Sequence, residues 1–214
     1  MELEDAMRTA GTCRYYKADP VPDEVLRPLF EAARFAPSGG NRQPVRFIIV
    51  RDRQKKRQMK DWHLQPWRAY RARVEQGGLR IEGADRLLRD GDHYAEHLDE
   101  VPVWVLVCAS MQDIRPTDTA LPRFGVVGGA SIYPQVQNLL LKCREAGLGA
   151  ALTTSLCAYE PQVRELLEIP EGVLVAGLVT IGYPARPLPR RLSRRPVDQL
   201  VFSERYGDPL FSLP

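Results

Sequence analysis

The chain has 214 residues, 44% of them hydrophobic and 27% charged, with a formal net charge of +3, a balance that suits one folded domain and argues against disorder along its length. The small net charge and the lack of a nucleic-acid motif argue against nucleic acid as a partner, so the basic residues Arg51, Arg53, Lys55, Lys56, Arg57 and Lys60 read as a solvated helix face. Cys13, Cys108, Cys143 and Cys157 lack the paired spacing of a zinc site, the start MELEDAM is acidic where a signal peptide is basic and apolar, and the longest apolar runs are strand-sized. Reduced thiols, a cytoplasmic location and no membrane attachment are therefore expected.

In chain order, residues 2–9 suit a short helix, with a break at Gly11 and an extended, proline-marked entry, CRYYKADPVP. A second helix is predicted from Asp23, because Val25, Leu26, Leu29, Phe30 and Ala33 recur at helical spacing and Asp23 and Glu24 sit where the helix dipole favours negative charge. Pro28 is awkward there unless it falls in the first turn. The stretch APSGGNRQP, residues 36–44, has two glycines and an asparagine between two prolines and reads as a conformationally special loop. Residues 47–50 predict a buried strand and residues 52–60 an exposed helix.

Residues 61–92 are polar and arginine-rich, with Trp62, Trp67, Tyr70 and a Gly77-Gly78 pair but no sustained apolar period; they are the candidate lid or insertion. A central strand is predicted at 102–109, a long helix at 124–146 with Gly147 as its cap, and a short strand or loop around Thr153, Thr154 and Leu156. A helix opening near Pro161 and a last core strand at 173–181 follow. From residue 184 the composition turns to proline and arginine, as expected of an arm lying on a partner or a ligand.

Familiar catalytic signatures fail. Gly147-Leu-Gly149 follows a predicted helix and position 152 is leucine, so no dinucleotide fingerprint forms; there is no phosphate loop, and no nucleophile elbow surrounds Ser38. His93 and His97, four apart, suit one face of a helix and a shared metal, but no third ligand is in view, so no metal is expected. Trp62, Trp67 and Tyr70 suit either a cover for a planar ligand or satellite packing beneath a long loop.

Three segments in order, RYYKADPVPDEVLRPLFEAARFAPSGGNRQPVRFIIVRD, QNLLLKCREAGLGAALTTSL and GYPARPLPRRLSRRPVDQLV, resemble the nitroreductase family across nearly the whole chain except residues 61–92. The resemblance implies a single α+β domain, a three-layer sandwich around a mostly antiparallel sheet. It also implies an intertwined homodimer whose C-terminal arm, 184–214, crosses the partner and whose two FMN molecules lie at the interface. Within that frame Pro37, Ser38, Gly39, Gly40, Asn41 and Gln43 would meet the flavin ring, with the glycines allowing close backbone approach. Thr154, or alternatively Thr153, would stand near flavin N5 and tune it, and Thr12, Arg14 and Arg194 or Arg195 would hold the phosphate.

The implied activity passes hydride from NAD(P)H through the flavin to an electron-poor small molecule, such as a nitroaromatic, quinone or enone, in a two-step exchange. The chemistry would reside in the flavin, without a protein acid-base pair. Ala10-Gly11-Thr12 departs from the family's usual Arg-Arg-Ser triplet, which removes two cations unless another arginine such as Arg8 replaces them. Two alternatives accompany this reading. One is reductive dehalogenation of a halotyrosine-like substrate, since ALTTSL and RRPVDQL are also similar to the deiodinase branch, although Glu75 is displaced and no lysine lies between Lys60 and Lys142. The other is a flavin-sequestering or sensor protein without turnover.

Overall fold

Strict alternation along one apolar segment decides the architecture. Val103, Val105, Val107 and Ala109 face one way and Trp104, Leu106 and Cys108 the other, and all seven are buried, so the strand they form is covered on both faces. In the computed structural model, which describes residues 1–78 and 83–211, this strand is β2 (Val103–Ser110). It pairs antiparallel with β1 (Val45–Val50) and with β4 (Val173–Gly182). The edge strand β3 (Gly149–Thr153) pairs antiparallel with β4 and completes the order β1-β2-β4-β3.

Helices α2 (Asp23–Ala33) and α5 (Tyr133–Glu145) supply Leu26, Leu29, Ala33, Val136, Leu139 and Cys143 to one face of the sheet. On the other face lie α3 (Arg53–Glu75), α4 (Ala84–Glu96) and α6 (Glu160–Leu166), which contribute Met59, Tyr94 and Val163. The short α1 (Leu3–Thr9) packs on α5. The result is the α+β three-layer sandwich expected from the sequence, with every strand pairing antiparallel. No helix among the described residues is long and apolar enough to cross a membrane.

Several local expectations need correction. The exposed helix expected at 52–60 continues to Glu75, capped by the Asp52 carboxylate, which accepts from the Lys55 amide at 2.7 Å; most of the stretch read as lacking a period is thus α3 and α4. The buried line of α3 is Lys56, Met59, His63 and Val74, half of it polar, which is why an apolar period was not visible. Lys56, read as part of a solvated face, is buried and donates to the Val101 carbonyl at 2.8 Å. The long helix expected from 124 opens instead at Tyr133, after a 3-10 turn at Val127–Ser131 that contains Gly128 and Gly129; glycine is costly inside a helix, whereas Pro134 suits a first turn. Pro28 is the sixth residue of α2, outside its first turn.

One irregularity matters for the site. Val107 stands opposite Gly177 but Cys108 opposite Val175, so Ala176 is the extra residue of a β-bulge. Tyr133 donates its hydroxyl to the Ala176 carbonyl at 3.2 Å. A side chain at Gly177 would begin 3.2 Å from the Thr153 carbonyl oxygen, so glycine there lets the end of β3 lie close against the bulge.

Candidate functional site

The two ends of the chain meet along the edge strand. Thr12 bridges Ala150 of β3, the Cys13 amide donates to the Ala150 carbonyl at 2.9 Å, and the Ala185 amide returns to the Tyr15 carbonyl at 2.9 Å. Further on, the Leu192 amide donates to the Arg8 carbonyl. Between them opens a cleft of about 790 Å³, whose walls include Thr12, Arg14, Arg86, Arg186, Arg191 and Arg194. Asp90 is the acidic group in its lining; it pairs with Arg86 at 3.5 Å and accepts from the Tyr15 hydroxyl at 2.9 Å. Among the described residues no carboxylate lies within ion-pair distance of Arg14, Arg191 or Arg194, so their charge is directed at whatever enters the cleft.

A column of flat groups closes one side. The Arg186 guanidinium lies 3.3 Å over the Tyr15 ring, Tyr15 stacks on His93 at 4.2 Å, and His93 on His97 at 4.4 Å. The stacking directs the two imidazoles face to face instead of converging their lone pairs, and His97 Nδ1 lies 2.9 Å from the His93 carbonyl oxygen. His93 is held below the ordinary histidine range, first by burial and then by His97 and Arg186.

At position 11 of the departed triplet there is no room for a side chain. A side chain begun at Gly11 would come within 2.6 Å of the Pro189 ring, because the returning arm lies directly over this backbone. Arg8, the arginine considered as a replacement, pairs with Glu4 at 2.6 Å, both groups well exposed, and does not line the cleft. Arg86, from α4, lines the cleft together with Arg186 and Arg191.

From Thr12 a narrow groove, which shares Ala10, Gly11 and Thr12 with the cleft, runs along β3 as far as Leu152. At roughly 3.3 Å per residue, the end of β3 is on the order of 10 Å from the Ala150 bridge. Strand alternation sends Thr153 to the α3 side, where its Oγ1 lies 3.2 Å from His63 Nε2. Thr154, just past the strand, is exposed, and among the described contacts its hydroxyl has no partner. His63 itself is only 2% exposed, and burial pushes its imidazole down to about 4. Neither Arg86 nor His63 was singled out from the sequence, since both lie on α3 and α4, whose polar composition hides which side faces inward.

The remaining candidates fall in two places. Pro37 to Gln43 form a loop away from the arginine cleft, in which Gly40, Asn41 and Gln43 all have positive φ (60°, 52° and 51°). Two non-glycine residues in that region within three positions mark stored strain, of order 1–3 kcal/mol each. The loop is held by the Gly39 amide donating to Ser131 Oγ and the Gln43 amide donating to Ser38 Oγ, both at 3.0 Å. On α3, Trp62 lies parallel to Tyr159 with centroids 6.4 Å apart. Trp67 presses on Gly91, where any side chain would clash with its ring, donates to Asp92 at 2.9 Å and packs against Tyr70; it ties α3 to α4. Arg195 does not line the cleft.

A profile described as the nitroreductase family matches residues 7–183. The chain belongs to the nitroreductase family. As a member it is an oxidoreductase. Among its relatives, an NADH dehydrogenase of Thermus thermophilus is 31% identical, the match covering 86% of this chain and 88% of that protein. An iodotyrosine deiodinase of Nematostella vectensis is 24% identical, over 94% and 74% of the two chains. Among solved structures, an NADPH:FMN oxidoreductase from Vibrio harveyi complexed with NAD+ superposes with a TM-score of 0.69 at 20% identity, covering 96% of this chain and 78% of that one.

Proposed function

We propose that this nitroreductase-family chain is an FMN-dependent oxidoreductase that passes reducing equivalents from NAD(P)H to an electron-poor small molecule and works as a homodimer in the cytoplasm. One observation carries the reading: Thr12, Arg14 and Arg194, from opposite ends of the chain, wall one arginine-rich cleft that continues along β3 towards Thr154. The donor set fits the cofactor. Guanidinium groups bind phosphate oxygens in paired hydrogen bonds, and a hydroxyl at Thr12 completes a site for a phosphate monoester.

Bound FMN would supply the two-electron chemistry that none of the side chains provides. Arg14, Arg191 and Arg194 would anchor its phosphate, Thr154 would offer a hydroxyl able to donate or accept near the redox edge, and Trp62 with Tyr159 would help exclude water. The strained Ser38–Gln43 loop lies apart from the arginine cleft within one chain, so it is assigned to the other subunit's flavin. Uncovered apolar groups support a second copy. Phe124 is 94% and Tyr206 97% exposed, and Val197, Leu200, Leu210 and Phe211 are also open to solvent. Residues 201–210 form a small hairpin whose described backbone bonds beyond itself reach only the adjoining Val197. Apolar side chains left this exposed on one protomer are what a partner would cover.

The acceptor is taken to be a nitroaromatic, quinone or enone. The deiodinases among the relatives favour a second reading, reductive dehalogenation of a halotyrosine-like substrate; Glu75, however, is engaged by Arg71 at 2.9 Å, leaving Tyr70 as the group free to clamp a zwitterion. The visible spectrum of the protein mixed with FMN, recorded before and after anaerobic NADH or NADPH, tests the proposal. Bleaching by a nicotinamide and recolouring by 1,4-benzoquinone are expected, whereas flavin that stays oxidised with both nicotinamides would overturn it. Dehalogenation of iodotyrosine by the reduced protein, with no turnover of benzoquinone, would select the second reading.

A further inference from the structure

His63 is the one deeply buried imidazole, and its surroundings constrain it in two ways. Its Nε2 reaches Thr153 Oγ1 at 3.2 Å, while its Nδ1 is buried with no hydrogen-bond partner. A buried N–H without an acceptor costs more than a buried lone pair without a donor, so the hydrogen belongs on Nε2 and the orphan is the Nδ1 lone pair. Thr153 Oγ1 then accepts from the imidazole. The Thr153 hydroxyl hydrogen is thereby turned outward, towards Ser155 Oγ at 3.4 Å, beside the exposed Thr154. No charged group contributes to the lowering of the imidazole; burial alone causes it, and the packed neighbour from α4 is the Tyr94 ring, nearly perpendicular to it with centroids 6.2 Å apart. The side chain therefore stays neutral throughout the physiological range.

We infer that His63 is a positioning residue: as a neutral Nε2–H donor it fixes the Thr153 hydroxyl, and through it the orientation of the Thr153–Ser155 lip at the end of β3. This rests on the reading of that lip as the edge of the flavin site. Nothing in the proposed reaction requires a proton from the imidazole, so its effect is on geometry alone. A histidine buried only for packing would tolerate an apolar replacement of similar size without kinetic consequence.

Nitrogen-15 NMR of histidine-labelled protein, as purified, reads the tautomer directly. His63 is expected as the neutral Nε2–H form from pH 5 to about 8, with its shifts moved by Thr153→Val. The Nδ1–H form, or protonation near the ordinary histidine range, would overturn the inference. With FMN and NADPH, His63→Leu is expected to lower kcat about 5- to 10-fold, the factor one hydrogen bond is worth, with KM within about twofold. His63→Gln, which keeps a donor near the Nε2 position, is expected to recover most of that loss. Equal kcat in His63→Leu and wild type, with both folded, would reduce the residue to packing and overturn its positioning role. A protein that takes up no FMN would defeat the reading of the cleft, while the tautomer measurement would still decide the hydrogen bond on which the inference stands.

Discussion

The sheet and the arm of this molecule obey opposite rules. In β2 each of seven consecutive residues is buried, and the one polar atom of Trp104 is satisfied at home, its Nε1 donating to the Leu98 carbonyl at 2.9 Å. From Ala185 to Phe211 the chain is mostly exposed, rich in arginine and proline, and bound to the body through a few backbone contacts at Tyr15 and Arg8. A region whose needs are all met inside one chain sets stability; a region left with free charge and uncovered apolar surface is arranged for something outside that chain. The two should therefore respond separately to mutation.

The largest effect belongs to the sheet. Trp104→Ala removes a fully buried indole and is expected to cost about 3–5 kcal/mol of unfolding free energy, measured by denaturant titration, while FMN affinity of the folded fraction stays near that of the wild type. A matching loss of affinity would show that body and cleft are not separable. Acid comes second. His63, at about 4 in the folded protein against an ordinary 6.5, binds its proton more readily when unfolded. Its contribution is complete above about pH 6.5 and declines, by up to about 3 kcal/mol, as the pH falls to 4. Comparing wild type with His63→Gln isolates this slope from that of the carboxylates, and parallel curves would refute it.

In the arm and its cleft the expected effects are on binding. Arg14→Ala is expected to weaken FMN by about 10- to 150-fold, the range for one charge-assisted hydrogen bond, with little change in melting temperature. Arg195→Ala, outside the cleft, should do much less; the reverse ranking would move the phosphate site. The smallest effect is at the crossing point of the two regions. Gly11→Ala drives a methyl group into Pro189 and should cost about 1–3 kcal/mol, seen as easier proteolysis of the arm and weaker FMN. An alanine variant that binds FMN as tightly as wild type would show that the arm rests elsewhere in solution.

Gly11 also shows how far the sequence reaches. Its place in the departed triplet was visible, but only the returning arm explains why a side chain is unwelcome there. The candidate set divides in the same way. Thr12, Arg14 and Arg194 were named from residue type and resemblance, and they share one cleft because backbone bonds at Tyr15 and Arg8 carry the arm back across the N-terminal segment. Arg86 joins them from a helix hidden by its own polarity. Lys56 looked solvated because a lysine in a basic run usually is, yet the Val101 carbonyl gives its ammonium a buried partner.

What the sequence determined by itself was whatever local chemistry decides: the helical period from Val25 to Ala33, the alternation from Val103 to Ala109, the turn imposed by Ser38-Gly39-Gly40-Asn41, and the family. The tertiary structure decided which polar groups are inside. Burial of Lys56 and His63 depends on partners 45 and 90 residues away, and a long-range hydrogen bond can satisfy a polar atom in the core without leaving any periodic trace in the chain.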